Sequence, residues 1–180
     1  MAMREAILGG GCFWCLDAAF RQIDGVADVI SGYANGHVEN PDYKTVCTDT
    51  TGHAEVVKIL YEDTELSYRD LLEIFYALHD PTTLNRQGAD FGSQYRSTIL
   101  YQSDEERRIA EEVTREVQQH LDRRIVTKIE PLRNFYPAEE YHQNYFAKNP
   151  TQGYCQMVVA PKVRKVREKF GEKVKNSPNF

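Results

Sequence analysis

The sequence predicts an α+β fold, an α/β sandwich in which helices cover a small mixed sheet. Apolar residues alternate between the two-residue period of strands and the longer period of helices along the 180-residue chain. No change in composition divides the chain, and its length suffices for one sizeable core. We therefore expect a single domain over residues 1–180, with residues from about 149 onward forming a C-terminal tail.

The first third of the chain predicts a strand, a helix and two further strands. A short apolar run at residues 6–8 precedes three glycines, which is typical of a buried strand followed by a tight turn. Apolar residues at helical spacing predict a helix over residues 13–23. Strand patterns cover residues 26–33 and 54–61, and the segment 32–44, rich in Gly, Asn, Asp and Pro, predicts a loop.

The remaining elements follow a similar order. Ser67 and Asp70 form a capping-box pattern at the start of a helix that Asp80-Pro81 ends. Next come a strand over 95–101, a long helix opened by Ser103 and Glu106, a strand over 127–130 and a helix over 138–148. Two consecutive strand–helix–strand units predict the ferredoxin-like split βαβ core. The basic segment 161–175 predicts a solvated helix that rests on the domain.

Charge and hydropathy exclude several classes of partner. The formal net charge of -5 gives no electrostatic footprint for nucleic acid. The N-terminal residues carry an acid and reach glycine after three apolar positions, which is too short for a signal-peptide core or a membrane span. We therefore expect a cytoplasmic protein that binds neither nucleic acid nor membrane.

Cys12 is the first candidate for chemistry. It follows three glycines at the start of the predicted helix, where free backbone N–H groups and the helix dipole favour a thiolate. Cys15 completes a Cys-x-x-Cys pair of the kind found in thiol–disulfide catalysts. Cys47 and Cys155 stand alone and the five histidines form no His-x3-5-His pair, so the spacing does not favour zinc.

Glu55 is the second candidate. It shares strand parity with Val57 and Ile59 and so begins a largely apolar face, where burial raises the pKa of a carboxyl group and suits it to general acid catalysis. The alternative is a strand-end residue in solvent. Phe13 is expected in the core, whereas Trp14 either joins the core or walls a pocket beside Cys12.

Seven motifs, in order over nearly the whole chain, resemble the peptide methionine sulfoxide reductases of the A class. They are Gly11-Cys12-Phe13-Trp14, Asn40-Pro41-x-Tyr43, Thr51-Gly52-His53-Ala54-Glu55-Val56, His79-Asp80-Pro81-Thr82, Asp90-x-Gly92-Ser93-Gln94-Tyr95-Arg96-Ser97, Ala138-Glu139-x-Tyr141-His142-Gln143 and Gly153-Tyr154-Cys155. The resemblance implies reduction of the S epimer of methionine sulfoxide, free or within proteins, with no metal or organic cofactor and with thioredoxin as the reductant.

The resemblance also assigns roles to residues. It implies that Cys12 is the nucleophile, Glu55 the acid, Tyr43 and Tyr95 the hydroxyls that bind the sulfoxide oxygen, Asp90 a polar support, and Phe13 and Trp14 the methyl pocket. The residue types suit the chemistry, because a sulfoxide sulfur becomes electrophilic only when its oxygen is protonated or strongly hydrogen-bonded. Attack by Cys12 would leave a sulfenic acid, which a second thiol condenses into a disulfide.

The identity of the second thiol stays open between two cysteines. Cys155 lies in a breaker-rich segment able to move toward the site, and family members use a thiol there, so we expect Cys155 to resolve the sulfenic acid. Cys15 is the alternative, at a position that is often glycine in the family. Cys47 is expected to be a buried, inert thiol.

Two other functions fit parts of the sequence. A thioredoxin-like disulfide oxidoreductase would use only Cys12 and Cys15, and a zinc-stabilised interaction domain would use all four cysteines. The resemblance and the absence of an obvious apolar surface stripe lead us to expect a monomer.

Overall fold

A six-stranded mixed sheet forms the centre of the fold. The computed structural model describes residues 3–174. The strands are β1 (Met3–Gly9), β2 (Val26–Ala34), β3 (Ala54–Glu62), β4 (Arg86–Gln87), β5 (Asp90–Phe91), β6 (Thr98–Tyr101), β7 (Lys128–Pro131) and β8 (Phe135–Pro137). The α-helices are α1 (Phe13–Arg21), α2 (Tyr43–Val46), α3 (Tyr68–Leu78), α4 (Asp104–Gln118), α5 (Tyr145–Lys148) and α6 (Ala160–Lys169). Single 3₁₀ turns cover Ser93–Tyr95, Glu140–His142 and Gly171–Lys173, and a π-helical turn covers Cys155–Val159.

The strand order confirms the predicted split βαβ core. Within the sheet, whose order is β7-β6-β1-β3-β2-β8, the four inner strands β6, β1, β3 and β2 pair antiparallel with one another. Strand β7 joins β6 in parallel at one edge, and β8 joins β2 antiparallel at the other. The sheet is therefore mixed, as expected, and its parallel pair is the one between β6 and β7. Strands β4 and β5 form a separate two-stranded hairpin.

The main core lies between the sheet and helices α1 and α3. Its fully buried side chains include Leu8, Phe20, Val57, Ile59 and Phe75. Each large apolar side chain removed from water contributes about 1.5–3 kcal/mol. The opposite face of the sheet carries a smaller cluster, which Leu132 and Phe135 cover. Helix α1 is buried over almost its whole length.

Helix capping follows the sequence closely at α3 and partly at α4. The side chain of Ser67 accepts from the backbone N–H of Asp70, and Asp70 returns the bond, so the predicted capping box is present. Ser103 likewise caps α4, but the carboxylate of Glu106 accepts from the backbone N–H of Gln102 instead. Helix α1 ends at Arg21, two residues before the expected end.

The predicted helix over 138–148 is wrong. Asn144 adopts a left-handed conformation (φ 52°) that interrupts the helix, and its backbone N–H donates to the buried carboxylate of Asp17 over 2.8 Å. The side-chain amide of Gln143 pairs with both backbone groups of Ser31 on β2, at 2.9 and 3.0 Å. The segment is thus fixed to the sheet and to α1 by polar bonds that helical periodicity does not reveal.

The predicted strand over 95–101 is shorter than expected. Tyr95 belongs to the 3₁₀ turn Ser93–Tyr95, and the strand begins at Thr98. The predicted loop over 32–44 is also shorter than expected. Strand β2 extends to Ala34, and α2 begins at Tyr43.

The C-terminal segment packs against α1. After the π-helical turn, α6 buries Val163 and Val166 and leaves most of its charged side chains exposed, as its sparse apolar stripe predicts. None of the helices between residues 3 and 174 combines the length and the apolar character that a membrane crossing needs.

Candidate active site

Cys12 lies at the N-terminal cap of α1, held by a glycine turn. Gly11 has a φ of 86°, a conformation that only glycine adopts without strain, and its N–H donates to the carbonyl oxygen of Tyr95 over 3.2 Å. This bond joins the turn before Cys12 to the segment that carries Tyr95. The Cys12 thiol is half-buried at the end of the helix.

The helix N-terminus, which is expected to favour a thiolate at Cys12, is opposed by the surroundings of the thiol. Burial raises the pKa of the Cys12 thiol well above its ordinary value, and the nearby Glu55 and Cys15 raise it further. The backbone N–H of Trp14 acts in the opposite direction and is outweighed. Cys12 therefore rests as a thiol.

Glu55 is a buried acid, as its strand parity predicts. It is 1% exposed, and its Oε1 accepts from the backbone N–H of Phe13 over 3.3 Å. Its Oε2 has no hydrogen-bond partner among the residues that the structure describes. Burial raises the Glu55 pKa to about 8, aided by the charge of Asp90. The carboxyl group thus holds a proton at neutral pH, and the solvent-exposed alternative is excluded.

Two tyrosines lie within electrostatic range of Glu55. Burial is the main cause that raises the pKa of the Tyr43 and Tyr95 hydroxyls above their ordinary value, with Glu55 contributing at both. Both groups therefore remain hydrogen-bond donors. The backbone of Tyr43 is held by Glu139, because the Tyr43 N–H donates to Oε2 of that residue over 2.9 Å. Oε1 of the same carboxylate accepts from the Tyr33 hydroxyl over 2.8 Å.

The two aromatic residues after Cys12 sit in different surroundings. Phe13 is fully buried, with ring centroids 5.7 Å from Tyr33 and 5.1 Å from His142. Trp14 is half-buried and stacks on Tyr145 at 3.7 Å with planes 4° apart. Its indole N–H donates to Nδ1 of His142 over 3.0 Å. Phe13 is thus a core side chain, and Trp14 is the one of the two that is partly exposed.

His142 and Tyr145 both contact Trp14, and local sequence patterns did not predict either contact. The Tyr141-His142-Gln143 motif was informative only through the family resemblance, because periodicity placed it inside a helix. Burial lowers the pKa of His142, and its Nε2 has no partner within residues 3–174. The ring is therefore a neutral acceptor for Trp14.

A small cavity of about 170 Å³ opens beside Cys12. Asp90 and Tyr154 line it together with Cys12, and the Tyr154 hydroxyl donates to Oδ2 of Asp90 over 2.6 Å. Asp90 thereby links the hairpin of β4 and β5 to the C-terminal segment. We refer to this space as the Cys12 cavity.

All four cysteines are free thiols, and three of them lie together. Cys15 and Cys155 are buried in one apolar cluster, at whose edge Cys12 packs. Cys15 interacts electrostatically with both of the others. The expectation of a buried Cys47 is wrong, because it follows the short surface helix α2, where its exposed thiol hydrogen-bonds with Tyr43. Within residues 3–174, no three His, Cys, Asp or Glu side chains come together as a metal site.

A comparison with family models decides the assignment. The model described as peptide methionine sulfoxide reductase matches residues 4–174. The chain belongs to the peptide methionine sulfoxide reductase family. The reductase is 53% identical to peptide methionine sulfoxide reductase MsrA of Saccharolobus solfataricus over 173 residues, which cover 96% of this chain and 98% of that one. It is 58% identical to MsrA of Nautilia profundicola over 163 residues, or 91% and 94% of the two chains.

Solved structures agree with this membership. The fold of the reductase matches Mxr1 from Saccharomyces cerevisiae in reduced form with a TM-score of 0.81 and 39% identity, over 85% of this chain and 89% of that one. Methionine sulfoxide reductase A of Corynebacterium diphtheriae matches with a TM-score of 0.77 and 34% identity, over 86% of this chain and 78% of that one. The reaction of the reductase is the thiol-dependent reduction of methionine S-sulfoxide to methionine.

Proposed function

We propose that Cys12 is the nucleophile of this reaction and Glu55 its general acid. The observation that carries the proposal is the buried, protonated Glu55 carboxyl group. One of its oxygens is bound to the helix that Cys12 caps, and the other has no partner among the residues that the structure describes. An acid in that state has a proton to give and a free oxygen with which to approach the substrate. Tyr43 and Tyr95 are the additional donors to the sulfoxide oxygen.

The first step transfers the oxygen atom from the substrate to the enzyme. Glu55 gives its proton to the sulfoxide oxygen, the sulfur of Cys12 attacks the sulfoxide sulfur to form a transient S–S bond, and the thiol proton restores the acid. The hydroxyl group then passes to the Cys12 sulfur as the S–S bond breaks. The S–O bond of the substrate breaks and an S–OH bond forms on Cys12, so methionine leaves reduced and Cys12 becomes a sulfenic acid. Trp14 and Phe13 hold the methyl group, and Asp90 supports the site from the hairpin.

The second step removes the sulfenic acid. We infer that the Cys155 thiol attacks Cys12, which forms a disulfide and releases water. The family resemblance and the place of Cys155 beside Cys15, at the edge of the Cys12 site, support this choice. The π-helical turn that begins at Cys155 is a rare conformation typical of functional segments. Cys15 is the alternative resolving thiol.

Mass mapping of the disulfide after one turnover separates these thiols. We expect a Cys12–Cys155 bond with Cys15 free. The Cys15→Ser variant should then keep turnover with methionine S-sulfoxide. A Cys12–Cys15 bond with Cys155 free would reassign the resolving role, and loss of turnover in Cys15→Ser would favour the thioredoxin-like disulfide oxidoreductase.

We further propose that thioredoxin reduces the disulfide. A structural relative with a TM-score of 0.58 and 30% identity, over 79% of this chain and 84% of that one, is Mxr1 from Saccharomyces cerevisiae in complex with Trx2. Four free thiols and thiol-based turnover suit a reducing compartment, so we place the enzyme in the cytoplasm. We also infer a monomer that forms one domain, and a substrate range of free and protein-bound methionine sulfoxide.

An assay of the two sulfoxide epimers with a dithiol reductant tests the function as a whole. We expect methionine from the S epimer and none from the R epimer. Activity confined to the R epimer would contradict the assignment. Metal analysis of the same sample tests the zinc alternative, which requires one zinc ion per chain.

A further inference from the structure

Lys162 brings a positive charge to the Cys12 cavity. It lies in the first turn of α6 and lines this cavity together with Cys12 and Asp90. It takes part in none of the ion pairs formed among residues 3–174. Its side chain is only partly exposed, so its charge is less screened than that of a surface lysine.

The charge of Lys162 reaches the surroundings of the nucleophile. It favours the thiolate of Cys15 and disfavours protonation of His79, which lies behind the glycine turn. The proposed reaction forms no anion beside Lys162. The ammonium group therefore has no assigned role in the chemistry of the sulfoxide.

The cavity pairs this cation with an anion. Asp90 and Lys162 line the same space of about 170 Å³ beside the sulfur that attacks the substrate. In methionine sulfoxide, a chain of two methylene groups separates the sulfur from the α-carbon, so the head group must lie close to Cys12. A free amino acid presents there one carboxylate and one ammonium group. A residue within a polypeptide presents two uncharged amides.

We propose that Lys162 is a specificity-determining residue that binds a substrate α-carboxylate. The substrates concerned are free methionine S-sulfoxide and an oxidised methionine at the C-terminus of a peptide. The inference rests on the proposed position of the sulfoxide beside Cys12. An ion pair of this kind forms in the ground state and persists in the transition state, so it lowers KM and leaves kcat nearly unchanged.

The test compares three substrates of the intact enzyme. These are free methionine S-sulfoxide, N-acetyl-methionine S-sulfoxide, which keeps the carboxylate alone, and N-acetyl-methionine S-sulfoxide N-methylamide, which has neither charge. In Lys162→Met we expect kcat/KM to fall about three- to tenfold for both carboxylate substrates, through KM. The N-methylamide should be reduced as by the wild type, and this result also shows that the variant is folded.

Two further variants sharpen the result. Lys162→Arg restores the charge and should recover most of the activity on the carboxylate substrates. Lys165→Met removes a lysine that lines a neighbouring cavity on the same helix but not the Cys12 cavity, and it should behave as the wild type.

The outcomes distinguish the possible roles. A fall confined to free methionine S-sulfoxide overturns the proposal, because N-acetyl-methionine S-sulfoxide carries the same carboxylate and should be affected as well. An equal fall for all three substrates overturns the proposal, because Lys162 then acts on the thiols or the fold. No change for any substrate also overturns it. Failure of the wild type to reduce any of the three would instead refute the proposed function.

Discussion

The backbone N–H of Phe13 donates to Oε1 of Glu55 over 3.3 Å. This bond connects β3, which carries the acid, to the first turn of α1, which Cys12 caps. It satisfies one of the N–H groups that a helix start leaves open, and it positions the buried carboxyl group relative to Cys12. This bond therefore links the strand that carries Glu55 to the start of the helix that Cys12 caps.

Replacement of Glu55 by glutamine should abolish most of the activity. The amide can accept the Phe13 bond and donate a hydrogen bond, but it has no proton to transfer. We expect kcat/KM for methionine S-sulfoxide to fall by about 100-fold or more. Steady-state assays with a dithiol reductant measure the change.

The control for this substitution is Glu5→Gln on the neighbouring strand β1. Glu5 is exposed, and the loss of its charge should leave kcat/KM unchanged. If Glu55→Gln retained wild-type activity, the tyrosine hydroxyls alone would suffice and Glu55 would not be the acid.

The pH dependence of kcat/KM should report the pKa of Glu55. Burial raises that pKa to about 8, so the protonated form that the reaction needs is present below this pH and is lost as pH rises through it. The rate of sulfenic acid formation should therefore decline with an apparent pKa near 8. The residual activity of Glu55→Gln should lack this decline, and a wild-type rate that rises through pH 8 would contradict the protonated acid.

Trp14 provides its own reporter, because it is the only tryptophan in the chain. In His142→Leu the indole loses its acceptor, and we expect a changed fluorescence emission together with a several-fold rise in KM. The value of kcat should change little, since the reacting groups remain in place. Tyr141→Leu is a matched control, because Tyr141 is exposed and also packs on His142. Unchanged emission and KM in His142→Leu would contradict the positioning of Trp14 by this bond.

The parts of the molecule that are governed by local patterns were predictable from the sequence. Strand parity placed Glu55 on the buried face, and the apolar spacing of α1 and α3 gave the helices that cover the sheet. The order of the elements gave the split βαβ core. Each of these features depends on residues that are neighbours in sequence or share one face of one element.

The errors arise where distant residues decide the outcome. The helix expected over 138–148 is broken because Asp17 and Ser31, more than a hundred positions away, bind the backbone N–H of Asn144 and the side chain of Gln143. The protonation state of Cys12 depends on burial and on Glu55, which outweigh the helix terminus. Local propensity contains neither effect.

Sulfenic acid trapping in a single turnover tests the central claim most directly. In the Cys15→Ser/Cys155→Ser variant, no resolving thiol of the cluster remains, and Cys12 and Cys47 are the two cysteines left. On mixing with methionine S-sulfoxide without reductant, we expect one methionine per chain and a sulfenic acid adduct on Cys12. An adduct on Cys47, or the absence of methionine, would contradict Cys12 as the nucleophile.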